Sequence, residues 1–130
     1  IAFHPITGLP YVTENGPDTD DEINILYKGQ DYGWPITLGY DKPIVKEEEF
    51  DRYNFTATDH VKPIWSSGHI TTAPTQIAFY TGSKYPEFAN DLLFLTLNDS
   101  SLNRAKLAPP DYTKISNFTV YELNIGIPRG

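Results

Sequence analysis

Apolar and polar residues alternate along most of this chain, with a period of two. In "EINILYK" (22–28), Ile23, Ile25 and Tyr27 point one way and Asn24, Leu26 and Lys28 the other, Leu26 being the imperfect member. That is strand rhythm, not the 3.6-residue repeat of a helix. "IAFHP" (1–5) and "LPYVTE" (9–14) read as two strands joined by a tight turn at Thr7-Gly8. "QIAFYTG" (76–82), "DLLFLTL" (91–97), "LNRAKL" (102–107) and "FTVYELN" (118–124) resume the rhythm. Antiparallel strands are predicted near 1–5, 9–14, 22–28, 76–81, 91–97, 102–107 and 118–124, with no long helix. "GQDYGWP" (29–35) is a turn ending in an aromatic corner, and "SKYPEFAN" (83–90) is a loop or one helical turn. Charged "KEEEFDR" followed by "YNFTATDH" marks a surface excursion near 41–61, with a short helical turn near 46–51.

The chain echoes itself. "IAFHPITGLPYVTEN" and "IAFYTGSKYPEFANDLLFLTLND" each have Ile-Ala-Phe, a Gly-bearing turn, and an apolar strand ending in Thr and a polar residue. Repeated strand pairs are the mark of propeller blades, about 40–45 residues of four strands each. The echoes begin at residues 1 and 77, too far apart for one blade unless the charged excursion is an insertion. With 130 residues the chain supplies two to three blades' worth of strands, while a ring needs roughly four to eight. Ile1 opens mid-strand and Pro128-Arg129-Gly130 stops where another strand would begin, so the chain reads as an internal segment of one propeller domain. The remaining blades of a parent chain are then its first partners.

Composition narrows the function classes. A net charge of −7 argues against a nucleic-acid surface, which needs clustered Lys and Arg, and against attraction to anionic lipid. No apolar run approaches the ~20 residues of a membrane span. Without Cys there are no disulfides, thiolate metal sites or Cys nucleophile. Three N-x-[ST] sequons, at Asn54, Asn98 and Asn117, tilt the reading toward an exported protein.

The candidate chemistry begins at "TENGPDTDDEINIL" (13–26), where an acidic run follows a Glu-Asn-Gly-Pro corner. In an extended loop Asp18, Asp20 and Glu22 face one way and Asp21 the other. Ca²⁺ takes six to eight oxygens from carboxylates, carbonyls and water, so the run suits a hard cation. On spacing alone an exposed acidic hairpin loop is the better reading, and the Gly and distal Glu of an EF-hand are missing. His4, His60 and His69 show no ligand spacing and read as structural or exposed. No GxSxG, P-loop or GxGxxG occurs. Ser66-Ser67-Gly68-His69 lies in one loop, where adjacent residues do not orient as a triad. Tyr32, Trp34, Tyr40, Trp65, Phe79 and Tyr80 suit either inter-blade packing or stacking on sugars.

Three stretches together resemble one family. "VTENGPDTDDEINILYKGQDYGWP" (12–35), "KPIWSSGHITTAPTQIAFYTGSKYP" (62–86) and "NDLLFLTLNDSSLNRAKL" (90–107) are similar to the soluble quinoprotein glucose/sorbosone and aldose sugar dehydrogenases. The resemblance implies an all-β, six-bladed β-propeller holding pyrroloquinoline quinone (PQQ) on Ca²⁺, with an aldose sugar as substrate. It implies that the carbonyls of Gly16 and Pro17 bind the cofactor calcium and that Asn15 faces the quinone. It places Glu22 and Tyr32 in a second, structural calcium site. Arg129 is the one remaining cation of a C-terminal Arg-x-Arg-Asp pattern, with Ile127 where the first Arg would stand, and Asn98 replaces a Lys that contacts the cofactor in some members. The His general base of the family falls upstream, so no catalytic residue is assigned among residues 1–130.

Two function classes follow. One is an exported PQQ- and calcium-dependent sugar dehydrogenase that oxidises an aldose at its anomeric carbon to the lactone, oligomeric or not. The other is a non-catalytic, calcium-stabilised propeller acting as a binding or cell-surface module. A lectin-like sugar binder is the weaker third reading.

Overall fold

A computed structural model of the chain describes residues 1–40, 42–44, 52 and 60–123. The strands run in chain order as β1 (Ala2–Phe3), β2 (Pro10–Glu14), β3 (Glu22–Ile25), β4 (Thr37–Leu38), β5 (Lys42–Pro43), β6 (Trp65–Ser66), β7 (Pro74–Phe79), β8 (Leu92–Thr96), β9 (Ser101–Leu107) and β10 (Ile115–Glu122). They form two four-stranded antiparallel sheets, ordered β1-β2-β3-β6 and β7-β8-β9-β10, and a small β4-β5 hairpin. Each large sheet follows chain order, as a propeller blade does. The internal echo falls on equivalent strands, since β1 and β7 each open their own sheet. The β4-β5 hairpin lies in the segment inserted between β3 and β6, which sets the echoes so far apart.

Most predicted strands are present, with shifted ends. β3 stops at Ile25, short of the expected Lys28. There Leu26 N–H donates to the Pro10 carbonyl, 2.9 Å away, and the chain leaves the sheet. Tyr27, expected on the apolar face, is consequently 40% exposed. "SKYPEFAN" holds a short 3-10 turn at Pro86–Phe88. β4, β5 and β6 were not predicted, because two residues cannot display a period. The predicted helical turn near 46–51 lies outside the described residues, as does most of the excursion and residue 124.

The two large sheets share one core. Tyr11, Ile23 and Ile25 from the first meet Ile77, Leu92, Phe94, Ala105 and Leu107 from the second. Fully burying side chains of this kind stabilises by about 1.5–3 kcal/mol each. Trp65 on β6 stacks on Phe118 of β10 at 5.7 Å between ring centroids and meets Phe94 edge-on at 5.4 Å. Phe79 packs edge-on against Tyr11 at 5.1 Å. Trp65 and Phe79 thus pack between blades, while Trp34 and Tyr40 stay exposed at 59% and 51%.

A buried carboxylate fastens the sheets at one end. Asp21 precedes β3 and has no exposed surface. Its Oδ1 accepts the Gly16 N–H at 3.0 Å. Its Oδ2 accepts the Thr72 N–H at 2.6 Å, the Ala73 N–H at 2.9 Å, and the Thr71 and Thr72 hydroxyls at 3.2 Å each. Ala73 has φ +51°, the left-handed region a non-glycine residue enters only when held there. Successive N–H groups in such a turn converge on an anion, and here the anion is a side chain from the other sheet. The Asp21 backbone adds to this, because its N–H donates to Ser67 Oγ and its carbonyl accepts Ser67 N–H, both at 2.9 Å. Asp21→Asn would put an amide N–H among donors with no acceptor to face. A loss of roughly 2–4 kcal/mol is expected, read from the urea midpoint; a loss under about 0.5 kcal/mol would show that the cluster does not hold the sheets together.

Candidate functional site

The loop between β2 and β3 turns back sharply at Gly16. A Cβ there would lie 1.8 Å from the Thr19 carbonyl oxygen, so only glycine permits the turn. The turn sets Glu14 on β2 directly opposite Glu22 on β3. Like charges in this relation repel. Asn24 Nδ2 bridges them, 2.8 Å from Glu22 Oε2 and 3.4 Å from Glu14 Oε2. The Gly39 N–H donates to Glu22 Oε1 at 2.7 Å. Burial pushes the Glu22 carboxyl above its ordinary range, and the charges of Glu14 and Asp20 push the same way. The hydrogen bonds from Asn24 and Gly39 oppose them without prevailing. Asn24 Oδ1 is buried with no hydrogen bond among the described residues.

These groups border a cavity of about 240 Å³ lined by Glu14, Asn15, Gly16, Asp20, Glu22, Trp34 and Leu38. Asn15, Gly16 and Glu22, which the resemblance assigns to the cofactor and calcium, therefore share one site with Asp20 and Trp34. Pro17 is exposed on the adjoining turn. Tyr32 does not line the cavity; its hydroxyl donates to the Ile25 carbonyl at 2.9 Å and accepts the Tyr27 N–H at 2.6 Å. Arg129 and Ile127 lie outside the described residues. Asn98 is exposed, and its amide donates to the Thr71 carbonyl at 3.0 Å, beside the turn that holds Asp21. Among the described residues no three His, Cys, Asp or Glu side chains form a metal-holding cluster, so backbone and amide oxygens would have to complete any cation shell.

The alternation expected of the acidic run is present at its centre. Asp20 and Glu22 share the cavity and Asp21 turns away from it. Asp18 is exposed and does not reach the cavity. Asp20 and Asp21 are each tightly bonded. Lys42 Nζ lies 2.9 Å from Asp20 Oδ2, and the Thr19 hydroxyl donates to the same oxygen at 2.8 Å. Burial pushes the Asp20 carboxyl up, but those two hydrogen bonds and the charges of Lys42 and His69 outweigh it and hold it low. Glu14, Gly39 and Lys42 were missed. Glu14 was recoverable from hairpin register, whereas Lys42 follows a two-residue strand that leaves no periodic signal.

Of the histidines, His69 is exposed and His60 is buried near Gly33. His4 is packed between Phe79 and Tyr112, with ring centroids 4.9 and 4.3 Å away. Its Nδ1 accepts the Thr7 N–H at 3.2 Å. Burial lowers its pKa below the ordinary 6.5. The unfolded chain therefore takes up a proton first as pH falls, and stability drops from about pH 6.5 downward. Well above that value His4 contributes no pH dependence. The slope should be at most about 1.4 kcal/mol per pH unit, read from denaturant midpoints between pH 8 and 5. A His4→Gln variant that keeps the slope would clear His4 of causing it.

Comparison with known proteins adds the following. Residues 1–122 match the family model described as Glucose / Sorbosone dehydrogenase. The aldose sugar dehydrogenase YliI of Escherichia coli is 30% identical over 103 residues, 78% of this chain and 27% of that protein. The quinoprotein glucose dehydrogenase B of Acinetobacter calcoaceticus is 35% identical over 71 residues, 52% of this chain and 14% of that protein. A solved glucose dehydrogenase structure superposes with a TM-score of 0.71 at 26% identity, covering 89% of this chain and 31% of that one. The chain thus spans less than a third of each of these proteins.

Proposed function

Because this chain belongs to the glucose/sorbosone dehydrogenase family, we propose that it forms the quinone- and calcium-facing part of an exported enzyme that oxidises an aldose at its anomeric carbon to the lactone. The observation that carries this reading is the cavity beside the Gly16 corner. It gathers Glu14 and Glu22, an amide-bearing Asn15 and a glycine-dependent peptide turn. These are hard oxygen donors of the kind Ca²⁺ takes. Glu22 is buried, and its charged form is disfavoured while only hydrogen bonds offset the repulsion. A cation would relieve that. The residues present therefore fit calcium.

In this proposal the carbonyls of Gly16 and Pro17 hold the cofactor calcium and Asn15 faces the quinone. Glu22 and the carbonyl of Tyr32 take a second, structural calcium, and Arg129 adds positive charge toward the cofactor. Bound here, PQQ would supply a hydride acceptor for the sugar and calcium would supply polarisation of the quinone carbonyl. The chain's own part is to hold the corner rigid, which Asp21 does by tying Gly16 to the start of the second sheet. The proton of the sugar hydroxyl goes to a general base outside residues 1–130. His4 is ill-suited to that role, since it is buried among aromatic rings.

A second reading, a calcium-stabilised propeller without catalysis, is favoured by Asn98. A neutral amide donating to a backbone carbonyl stands where a cation toward the quinone was expected.

Two outcomes are expected. Glu22→Gln should lower the melting temperature in calcium buffer and have little effect in chelator, because a lost metal contact matters only when metal is present. Equal losses in both would show that Glu22 is not a ligand. Residues 1–130 alone should not oxidise glucose or other aldoses in a dye-linked assay with PQQ and Ca²⁺ added. A positioned base contributes about 10²–10⁴ in rate, and it is expected elsewhere in the parent. Turnover above a PQQ–Ca²⁺ blank would return His4, His60 or His69 to candidacy.

A further inference from the structure

The wall of the cavity opposite Glu14 comes from the segment 33–44, which contributes Trp34 and Leu38. Two bonds to carboxylates clip this segment onto the acidic loop. One is the Gly39 N–H to Glu22. The other is Lys42, whose ammonium lies 2.9 Å from both Asp20 Oδ2 and Thr19 Oγ1. Thr19 Oγ1 in turn donates to Asp20 Oδ2, so the three groups form a closed cycle.

The backbone is shaped to present Asp20 to this cycle. Asp20 has φ +57°, and its N–H donates to the Gly68 carbonyl at 2.8 Å. Its other oxygen rests where Gly39 lacks a side chain, since a Cβ on Gly39 would come within 2.8 Å of Asp20 Oδ1. The Asp20 side chain is 10% exposed while that of Lys42 is 49% exposed. The carboxylate is thus fixed by the fold, and the ammonium arrives on a long arm from the hairpin.

We propose that Lys42 is a tethered cation that closes the Asp20 side of the acidic corner and holds the 37–43 hairpin over the cavity, leaving the Glu14–Glu22 side to an added divalent cation. The calcium part rests on the functional reading above; the tether does not. A divalent ion entering the cavity is repelled by the ammonium held on Asp20, which lines it, an interaction worth about a factor of ten in affinity.

The test uses Lys42→Gln and Lys42→Arg in the full-length parent protein. Amide exchange is followed at Gly39 and at Ile44, whose N–H bonds to the Ile36 carbonyl. In chelator, Lys42→Gln should speed exchange at both amides by at least about tenfold, and Lys42→Arg should restore protection. Unchanged exchange in Lys42→Gln overturns the tether. Calorimetric titration with CaCl₂ should show Lys42→Gln binding about tenfold more tightly than the parent. Equal or weaker binding overturns the proposed division of the cavity. Glu22→Gln is titrated alongside. If neither it nor the parent takes up calcium, the calcium reading of the corner falls, and the exchange result alone decides the tether.

Discussion

A carboxylate removed from water must find its hydrogen bonds in the chain, and Asp21 finds them in two sheets at once. Its donors are the Gly16 turn on one side and the Thr71–Ala73 turn on the other. Those turns are where the first sheet presents its cavity and where the second sheet begins. The same atoms that satisfy a buried charge therefore fix the cavity's floor relative to the neighbouring blade. Without such donors an isolated buried carboxylate would cost several kcal/mol. Here the strained Ala73 backbone is part of what supplies them.

Consecutive acidic residues thus serve different ends. Asp21 is inside and satisfied by neutral donors, Asp20 is at the rim and paired with Lys42, and Glu22 lines the cavity with its charge incompletely offset. Local charge density does not distinguish the three. Their different fates come from the direction of each side chain in an extended loop and from partners far apart in sequence, at 42 and 71–73.

That separation explains what the sequence could reveal. The long strands were legible because one face of β8 and β9 is covered and the other is not. Leu92, Phe94 and Thr96 are buried, as are Ser101, Asn103, Ala105 and Leu107. β3 was legible only in part. All four of its residues are buried: Ile23 and Ile25 pack in the core with the second sheet, Glu22 bonds to Gly39 of the inserted segment, and Asn24 is tied to Glu14 and Glu22. A strand covered on both faces loses the simple apolar–polar contrast on which the period depends. The short β4–β5 hairpin and β6 left no signal at all, so the cavity wall and Lys42 were invisible. The corner itself was legible through its resemblance to known motifs, not through spacing, which by itself favoured a bare acidic loop.

The two sheets differ in how fully their faces are covered. In the first sheet, β3 has both faces covered. The second keeps one face open, with Leu95 and Tyr121 exposed and a shallow apolar groove among Tyr80, Tyr85, Phe88, Leu93 and Leu102. Arg104 crosses this face to pair with Asp91 and lies 4.1 Å from the centroid of the Phe88 ring. In a closed ring every blade covers its neighbour's face. The core between the two sheets shows what such a cover is made of: branched aliphatic residues and aromatic rings packed together, with a buried carboxylate bonded to both sheets' turns. The open face has the aliphatic and aromatic parts and, in Arg104 with Asp91, a charge pair of its own. It is built by the same rules as the face that is already covered.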